Sequence, residues 1–301
     1  MHTKIVTLSV LQDWNCLSDF LSSFGISKSR QKKILGNKTY LSKPLKAKDE
    51  IKIPIDLMNY HMVSPKYDGP VVKKVDEYDF LLALSKPVEI HSLPLKYSEK
   101  NNLLAYVRES ENSAGIFSVN KDSYEKGLLY RLDYETSGLI LLAKNEHFYE
   151  QFRHHLQTKK YYLAVVQGDI KNDFSYAHHI SYTGQKGAVG RVSNEANPNS
   201  HLEGKKIIYN ADLDRSLVLI KLDEGKRHQI RLQLSHERNP IIGDPLYGGE
   251  KAERMYLHAF SYQFEYNGAD YQFFDENLNG LKSVFNTNGI LEMIHQALLS
   301  F

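Results

Sequence analysis

Four apolar runs constrain this 301-residue chain more than anything else in it: Phe80–Leu84, Leu139–Ala143, Tyr162–Val166 and Leu217–Leu222. Each has the length of a buried strand and falls far short of the roughly 20 residues that cross a bilayer. Helical patterns at Phe148–Leu156 and Ile290–Leu299 accompany them, but not in the regular alternation of a parallel βαβ series. No G-x-G-x-x-G follows a strand. The chain therefore reads as an α+β protein whose main body is a mixed, mainly antiparallel sheet. Asp169–Gly204, rich in Asn, Ser and Gly, reads as a long surface excursion rather than core. A single cysteine, Cys16, leaves no disulfide framework and no multi-cysteine metal centre. Met1-His2-Thr3-Lys4 leads into no hydrophobic leader, so the expected setting is reducing and cytoplasmic, with no membrane contact.

The net charge of +2 hides an uneven distribution. Residues 1–60 carry ten Lys and Arg against five acids, and the rest of the chain carries 28 against 31. A basic segment beside a slightly acidic body points to a polyanion, because cations placed near phosphates release condensed counterions. A solvated lysine-rich face is the plainer explanation of the same residues. Within the segment, residues 4–9 read as a short strand, and Leu17, Phe20, Leu21 and Phe24 have helical spacing closed by Gly25. Ser27 opens a second helix that Gly36 ends. Tyr40-Leu41 and Glu50-Ile51-Lys52-Ile53 read as short strands around a turn at Pro44. Over roughly residues 10–55 this order resembles the S4-like RNA-binding fold, best in Ser27–Gly36 and Lys48-Asp49-Glu50-Ile51. The Asn-Gly turn usual between its strands is missing. The resemblance implies a small α/β module at residues 1–58 whose Lys28, Arg30, Lys32 and Lys33 face RNA. Pro54, Pro65, Gly69 and Pro70 then mark a connection, taken as 59–72, to a second body at 73–301.

Three segments of that body carry chemistry. In Tyr130-Arg131-Leu132-Asp133-Tyr134-Glu135-Thr136-Ser137-Gly138, a carboxylate precedes a Thr-Ser-Gly turn and an apolar strand. The second is Lys160-Tyr161-Tyr162-Leu163-Ala164-Val165-Val166-Gln167-Gly168. The third joins Gly225-Lys226-Arg227-His228-Gln229-Ile230-Arg231 to Pro240-Ile241-Ile242-Gly243-Asp244-Pro245-Leu246-Tyr247-Gly248. An isolated Asp in a turn, a Tyr on a strand or a basic strand is ordinary structure. In this order they resemble the R-L-D-x-x-T-S-G, K-x-Y-x-A-x-V-x-G and G-R-x-H-Q-I-R…P-I-x-G-D-x-x-Y-G signatures of RluA-type pseudouridine synthases. Ser85-Lys86-Pro87-Val88-Glu89-Ile90-His91 and Arg254-Met255-Tyr256-Leu257-His258-Ala259 are weaker matches that extend the resemblance over about 72–285. Tyr130 stands where that family has His, Glu89 where it has Gly and Lys226 where it has Arg.

The resemblance implies the pseudouridine synthase fold and isomerisation of specific uridines in structured RNA, ribosomal RNA first and transfer RNA second. Asp133 takes the role of catalytic carboxylate, Arg231 that of its charge partner, and Tyr162 lies against the uracil. Arg131, Thr136, Ser137, Lys226, Arg227, His228 and Gln229 take RNA contacts, with Arg131 filling the space of an extruded base. Breaking N1–C1′ and joining C5 to C1′ changes no oxidation state, so no cofactor and no metal are expected, and the chain is expected to act as a monomer without an obligatory protein partner. Among thirteen His, the pairs His154-His155 and His178-His179 have no carboxylate at recognised ligand spacing. The rival reading is an inactive RNA-binding or ribosome-assembly protein on a synthase fold, motivated by Tyr130, Lys226 and Glu89. Retention of Asp133, Tyr162 and Arg231 argues against it.

Overall fold

The computed structural model of the protein describes residues 5–23, 26–54, 57, 63–95, 99–110, 113–120, 123, 125–183, 189–193, 197–222, 224–278, 280–285 and 287–301. In chain order the first elements are β1 (Ile5–Ser9), α1 (Leu17–Ser23), α2 (Lys28–Leu35), α3 (Lys38–Leu41), β2 (Glu50–Pro54), β3 (Lys73–Glu77) and β4 (Leu81–Lys86). There follow α4 (Leu103–Glu109), α5 (Ser113–Ser118), β5 (Ser137–Ala143), α6 (Glu146–His154), β6 (Lys159–Gln167), β7 (Asp173–Thr183) and β8 (Val189–Ser193). The last are β9 (Ser200–Asn210), β10 (Arg215–Leu222), α7 (Gln229–His236), β11 (Leu257–Tyr266), β12 (Ala269–Phe274), α8 (Leu281–Phe285) and α9 (Ile290–Leu299). They form two compact units: Met1–Val71 with Ile90–Leu128 and Ala143–Tyr149, and Val72–Glu89 with Leu129–Leu142 and Glu150–Phe301.

In the first unit β1 and β2 pair antiparallel, with Ile5 opposite Pro54 and Ser9 opposite Glu50. Ser27 caps α2 by accepting from the Arg30 amide, and Gly36 closes it in the left-handed region at φ 64°. The two helices are tied by a buried amide. Gln31 donates to the carbonyls of Ser18 and Ile26 and accepts from the Ser18 hydroxyl at 2.7 Å. That anchor turns Lys28, Lys32 and Lys33 outward, while Val10, Leu17, Phe20, Leu21, Ile26, Leu45 and Ile53 make the core beneath. Tyr40-Leu41, expected as a strand, instead completes the helical turn α3. Asn37 caps that turn by accepting from the amides of Thr39 and Tyr40, which satisfies them locally before any ladder can. Phe24 and Gly25, expected to close the first helix, lie outside the described residues.

The second unit is built on a mainly antiparallel sheet in the order β3-β4-β5-β11-β6-β10-β9-β7-β8, with β12 beside β11. β5 and β11 run parallel, pairing Ser137 with His258 and Gly138 with Ala259. Alternation of side chains along β6 separates two faces. Tyr161, Leu163 and Val165 join Leu217, Leu219 and Phe260 under α8 and α9, where Ile290, Ile294 and Leu298 complete the core. Tyr162 faces the opposite side. The segment Asp169–Gly204, expected as a surface excursion, is a correction: it supplies β7, β8 and the start of β9. Its strands run at the margin of the sheet, so only alternate positions are buried, and one of those is His178 rather than an aliphatic residue.

Candidate active site

Asp133 sits in a turn that its own carbonyl closes, accepting from the Thr136 amide. The next carbonyl, that of Tyr134, accepts from the Glu89 amide at 2.8 Å and from the Lys86 ammonium at 3.4 Å. The turn is held from below by β5. At Gly138, φ is 114°, and an added Cβ would lie 2.3 Å from the Ala259 carbonyl oxygen, so only glycine lets β5 lie this close to β11. Ser137 is buried beside it, accepting from Arg254 at 2.7 Å and meeting His258 Nδ1 at 2.9 Å. Asp133 thus projects from a braced platform with its side chain 29% exposed, open enough to meet a substrate.

The opposing charge comes from α7. Arg231 is 1% exposed, and its Nε and Nη2 donate to the two oxygens of Asp244, both at 2.8 Å. That fork leaves Nη1 for Asp133 at 3.1 Å and Glu135 at 3.4 Å. Burial alone would depress the Arg231 pKa, but the bonds and charge of Asp244, with the charge of Asp133, outweigh it and leave it raised. Asp244 is fixed in turn by the amides of Leu246 and Tyr247. The preceding Gly243 has φ 80° and no room for a Cβ against the Arg254 carbonyl. The Asp133–Arg231 pairing expected from sequence is present. Its principal brace is Asp244, which the sequence shows only as part of the Gly243-Asp244-Pro245 turn.

Three more groups complete the arrangement. Tyr162 is buried, its hydroxyl is 3.4 Å from that of Tyr262, and burial pushes its phenol up to about 12. Lys86 ends the fully buried strand β4, donates to Pro87 O at 2.9 Å, and is brought down to about 7 by burial against the pull of Asp133 and Glu135. His228 adopts left-handed φ of 56°, its Nδ1 meets the Tyr247 hydroxyl at 2.8 Å, and its Nε2 lies 3.6 Å from Asp133. Burial lowers its imidazole below the ordinary value, with Asp133 pulling the other way. The result is a partly open carboxylate held by the buried Arg231 guanidinium, with Lys86, His228 and the buried Tyr162 ring in the same site. Such a site presents a preset base or nucleophile to a ligand that brings its own reactive bond.

The remaining expected contacts divide. Arg131 and Arg227 are exposed, and Lys226 and His228 are half-buried. Gln229 is buried, accepting from the Lys226 amide and donating to the His201 carbonyl and Glu224, so it shapes the loop before α7. Thr136 and Ser137 are buried as well. Lys28, Arg30, Lys32 and Lys33 belong to the first unit. Tyr130, where His was the family's residue, packs edge-on to Phe152 and Tyr262 and lies under the Lys160 ammonium at 4.5 Å. Lys86, Glu135, Asp244 and Tyr247 join the site in the fold without being among the residues expected from sequence. The signal for Lys86 in the sequence is a lysine closing a strand that begins Leu81-Leu82-Ala83-Leu84.

Comparison with known proteins identifies the family. The profile of a family described as RNA pseudouridylate synthase matches residues 81–236. A Mycoplasma pneumoniae protein described as an uncharacterized RNA pseudouridine synthase is 29% identical over 222 residues, 71% of this chain and 66% of that protein's own length. A Borreliella burgdorferi protein described as ribosomal large subunit pseudouridine synthase D is 26% identical over 243 residues, 76% of this chain and 71% of its own. The solved structure of human RNA pseudouridylate synthase domain containing 1 shares the fold at a TM-score of 0.55 and 22% identity, covering 68% of this chain and 83% of that one. Since the matched profile spans just over half of the residues and includes Asp133, Tyr162 and Arg231, this chain belongs to the RNA pseudouridylate synthase family of isomerases.

Proposed function

We propose that this RNA pseudouridine synthase acts on uridines in structured ribosomal RNA, with transfer RNA as the second substrate class, and that Asp133 engages the ribose. The observation that carries the reading is Asp133 itself, partly open to solvent yet fixed by a buried arginine whose other edge is pinned by Asp244. In the reaction the N1–C1′ bond breaks, the uracil turns, C5 joins C1′, and a proton lost from C5 is balanced by one gained at N1. Asp133 acts at the sugar, as nucleophile or as base toward the 2′ proton. Arg231 keeps it aimed through the 3.1 Å bond from Nη1, which costs no reorganisation when the bond breaks. Tyr162, protonated in the resting site by its raised pKa, enters as a ring against the base and as a hydroxyl donor.

A stacked uridine must leave its helix first, at a cost of a few kcal/mol, and exposed Arg131 takes the vacated place. Residues 1–58 serve as an RNA-binding module, joined through 59–72 to the catalytic part at 73–301. The apolar core of that segment and the outward lysines of α2 support the assignment. The enzyme works as a monomer in the cytoplasm, where its RNA is made. The test is tritium release from unmodified ribosomal RNA transcripts labelled at uridine C5, followed by mapping of the product. Asp133→Asn abolishes release while RNA binding survives. Full turnover by that variant would refute the role of Asp133, and no release by the unaltered protein from ribosomal or transfer RNA would refute the substrate class.

A further inference from the structure

At the far end of α7 from the Asp133 site, two imidazoles and a carboxylate converge. His178 comes from β7, and His236 and Glu237 come from the end of the helix, with one ligand atom from each lying within 4.8 Å of the other two. His178 Nε2 is 2.9 Å from a Glu237 oxygen, and the rings of His178 and His236 meet edge to face with centroids 4.9 Å apart. Nothing in the isomerisation uses these three residues.

From this cluster we propose a zinc site made by His178, His236 and Glu237, distinct from the catalytic machinery. Two histidines and a glutamate are a recognised donor set for zinc with a fourth position left to water. Ligand atoms on a tetrahedral zinc stand roughly 3–3.5 Å apart, and rotation of the exposed His236 ring closes the remaining gap. The second observation is Gln233, which is fully buried against His178. Its amide nitrogen lies 3.1 Å from His178 Nδ1, while its Oε1 has no partner among the described residues. In that arrangement Nδ1 accepts, and the imidazole proton sits on Nε2, pointing at Glu237.

Turning the Gln233 amide end over exchanges these roles. Oε1 then accepts from Nδ1–H, the imidazole proton has moved from Nε2 to Nδ1, and the Nε2 lone pair is released for the metal. Ligating histidines are ordinarily oriented through their second nitrogen in this way. The turn gives up two long contacts from the amide nitrogen, to the carbonyls of Tyr176 at 3.3 Å and Ser200 at 3.4 Å, and sets Oε1 toward those oxygens, a cost that the metal–Nε2 bond has to exceed. Zinc bound here clamps the end of α7 to β7, five residues along the helix from Arg231.

The test uses the full chain, stripped with a chelator and titrated with zinc chloride against a chromophoric competitor, with X-ray absorption on the loaded protein. We expect one equivalent bound, two nitrogen ligands and oxygen in the first shell, and a raised melting temperature. His236→Ala and Glu237→Gln, both at positions that leave the core untouched, each reduce bound zinc to below about 0.1 equivalent at the same free concentration. Absence of stoichiometric binding overturns the site. Unreduced binding in His236→Ala, or loss of binding in the surface variant His154→Ala/His155→Ala, overturns it too by placing the metal elsewhere.

Discussion

Replacing Arg231 by lysine isolates the contribution of the guanidinium fork while keeping the charge. Four donor contacts radiate from this one side chain: two to Asp244 at 2.8 Å, one to Asp133 at 3.1 Å and one to Glu135 at 3.4 Å. A compact ammonium without the planar fork cannot bridge carboxylates on opposite edges, so it serves Asp244 or Asp133 but not both. At least two charge-assisted bonds disappear, each worth about 1.5–3 kcal/mol. Because Asp244 is as deeply buried as Arg231, the net loss of stability is roughly 3–5 kcal/mol, the range for breaking a buried ion pair. Loss of the bond that orients Asp133 removes roughly 2–3 kcal/mol from the transition state, a fall in kcat of about 30- to 150-fold. Stability is read by urea unfolding with circular dichroism, because the single tryptophan, Trp14, packs on Phe20 in the N-terminal core and does not report on this unit. Activity is read by tritium release from C5-labelled RNA. A variant within 1 kcal/mol of the parent and within threefold in kcat, thresholds set below the ~1.4 kcal/mol of a tenfold change, would refute the idea that Arg231 both pins and aims the carboxylate.

Two further outcomes follow from the charges. Lys86, with a folded pKa of about 7 against an ordinary 10.5, holds fewer protons in the native than in the unfolded state between those values. Its contribution therefore makes stability rise with pH from about 7 to about 10.5, and the full burial penalty remains below about 7. Lys86→Met removes that slope, so the difference between variant and parent shrinks by roughly 3–5 kcal/mol from pH 6 to pH 10; parallel pH–stability curves would contradict it. In the N-terminal module, Lys32→Ala with Lys33→Ala leaves the core intact and lowers the slope of log affinity against log salt by about 1.5 for ribosomal RNA fragments. A slope unchanged by the double substitution would remove α2 from the RNA contact.

What the sequence made legible depended on whether the deciding interaction was local. Helix α2 was readable because Ser27 and Gly36 are themselves its start and stop. Helix α3 was not, since the side chain of Asn37 diverts the amides of Thr39 and Tyr40 into a turn. Strands β7 to β9 were obscured because marginal strands alternate polar and buried positions, and because His178 and Gly204 occupy places where an aliphatic residue signals a strand. The pairing of Asp133 with Arg231 spans 98 positions and was reachable only through the resemblance. No periodicity could show Asp244 as the main brace, because its bond to Arg231 exists only once α7 and the following turn are folded together. Lys86, buried at the end of an apolar strand, was visible as a residue and silent as to role.

The margins of the large sheet also determine how these molecules meet each other. A strand with an unpaired edge is a template for a neighbouring chain, and long flat edges promote aggregation. In the strand order one end is β3, whose sequence Lys-Lys-Val-Asp-Glu offers four charges in five residues. The other end is β8, five residues long, with Arg191 at its centre. An incoming strand would have to strip water from those charges before gaining any ladder bond. The two ends of the strand path, β3 and β8, are therefore self-terminating, and the sheet carries that protection in its two shortest flanking strands.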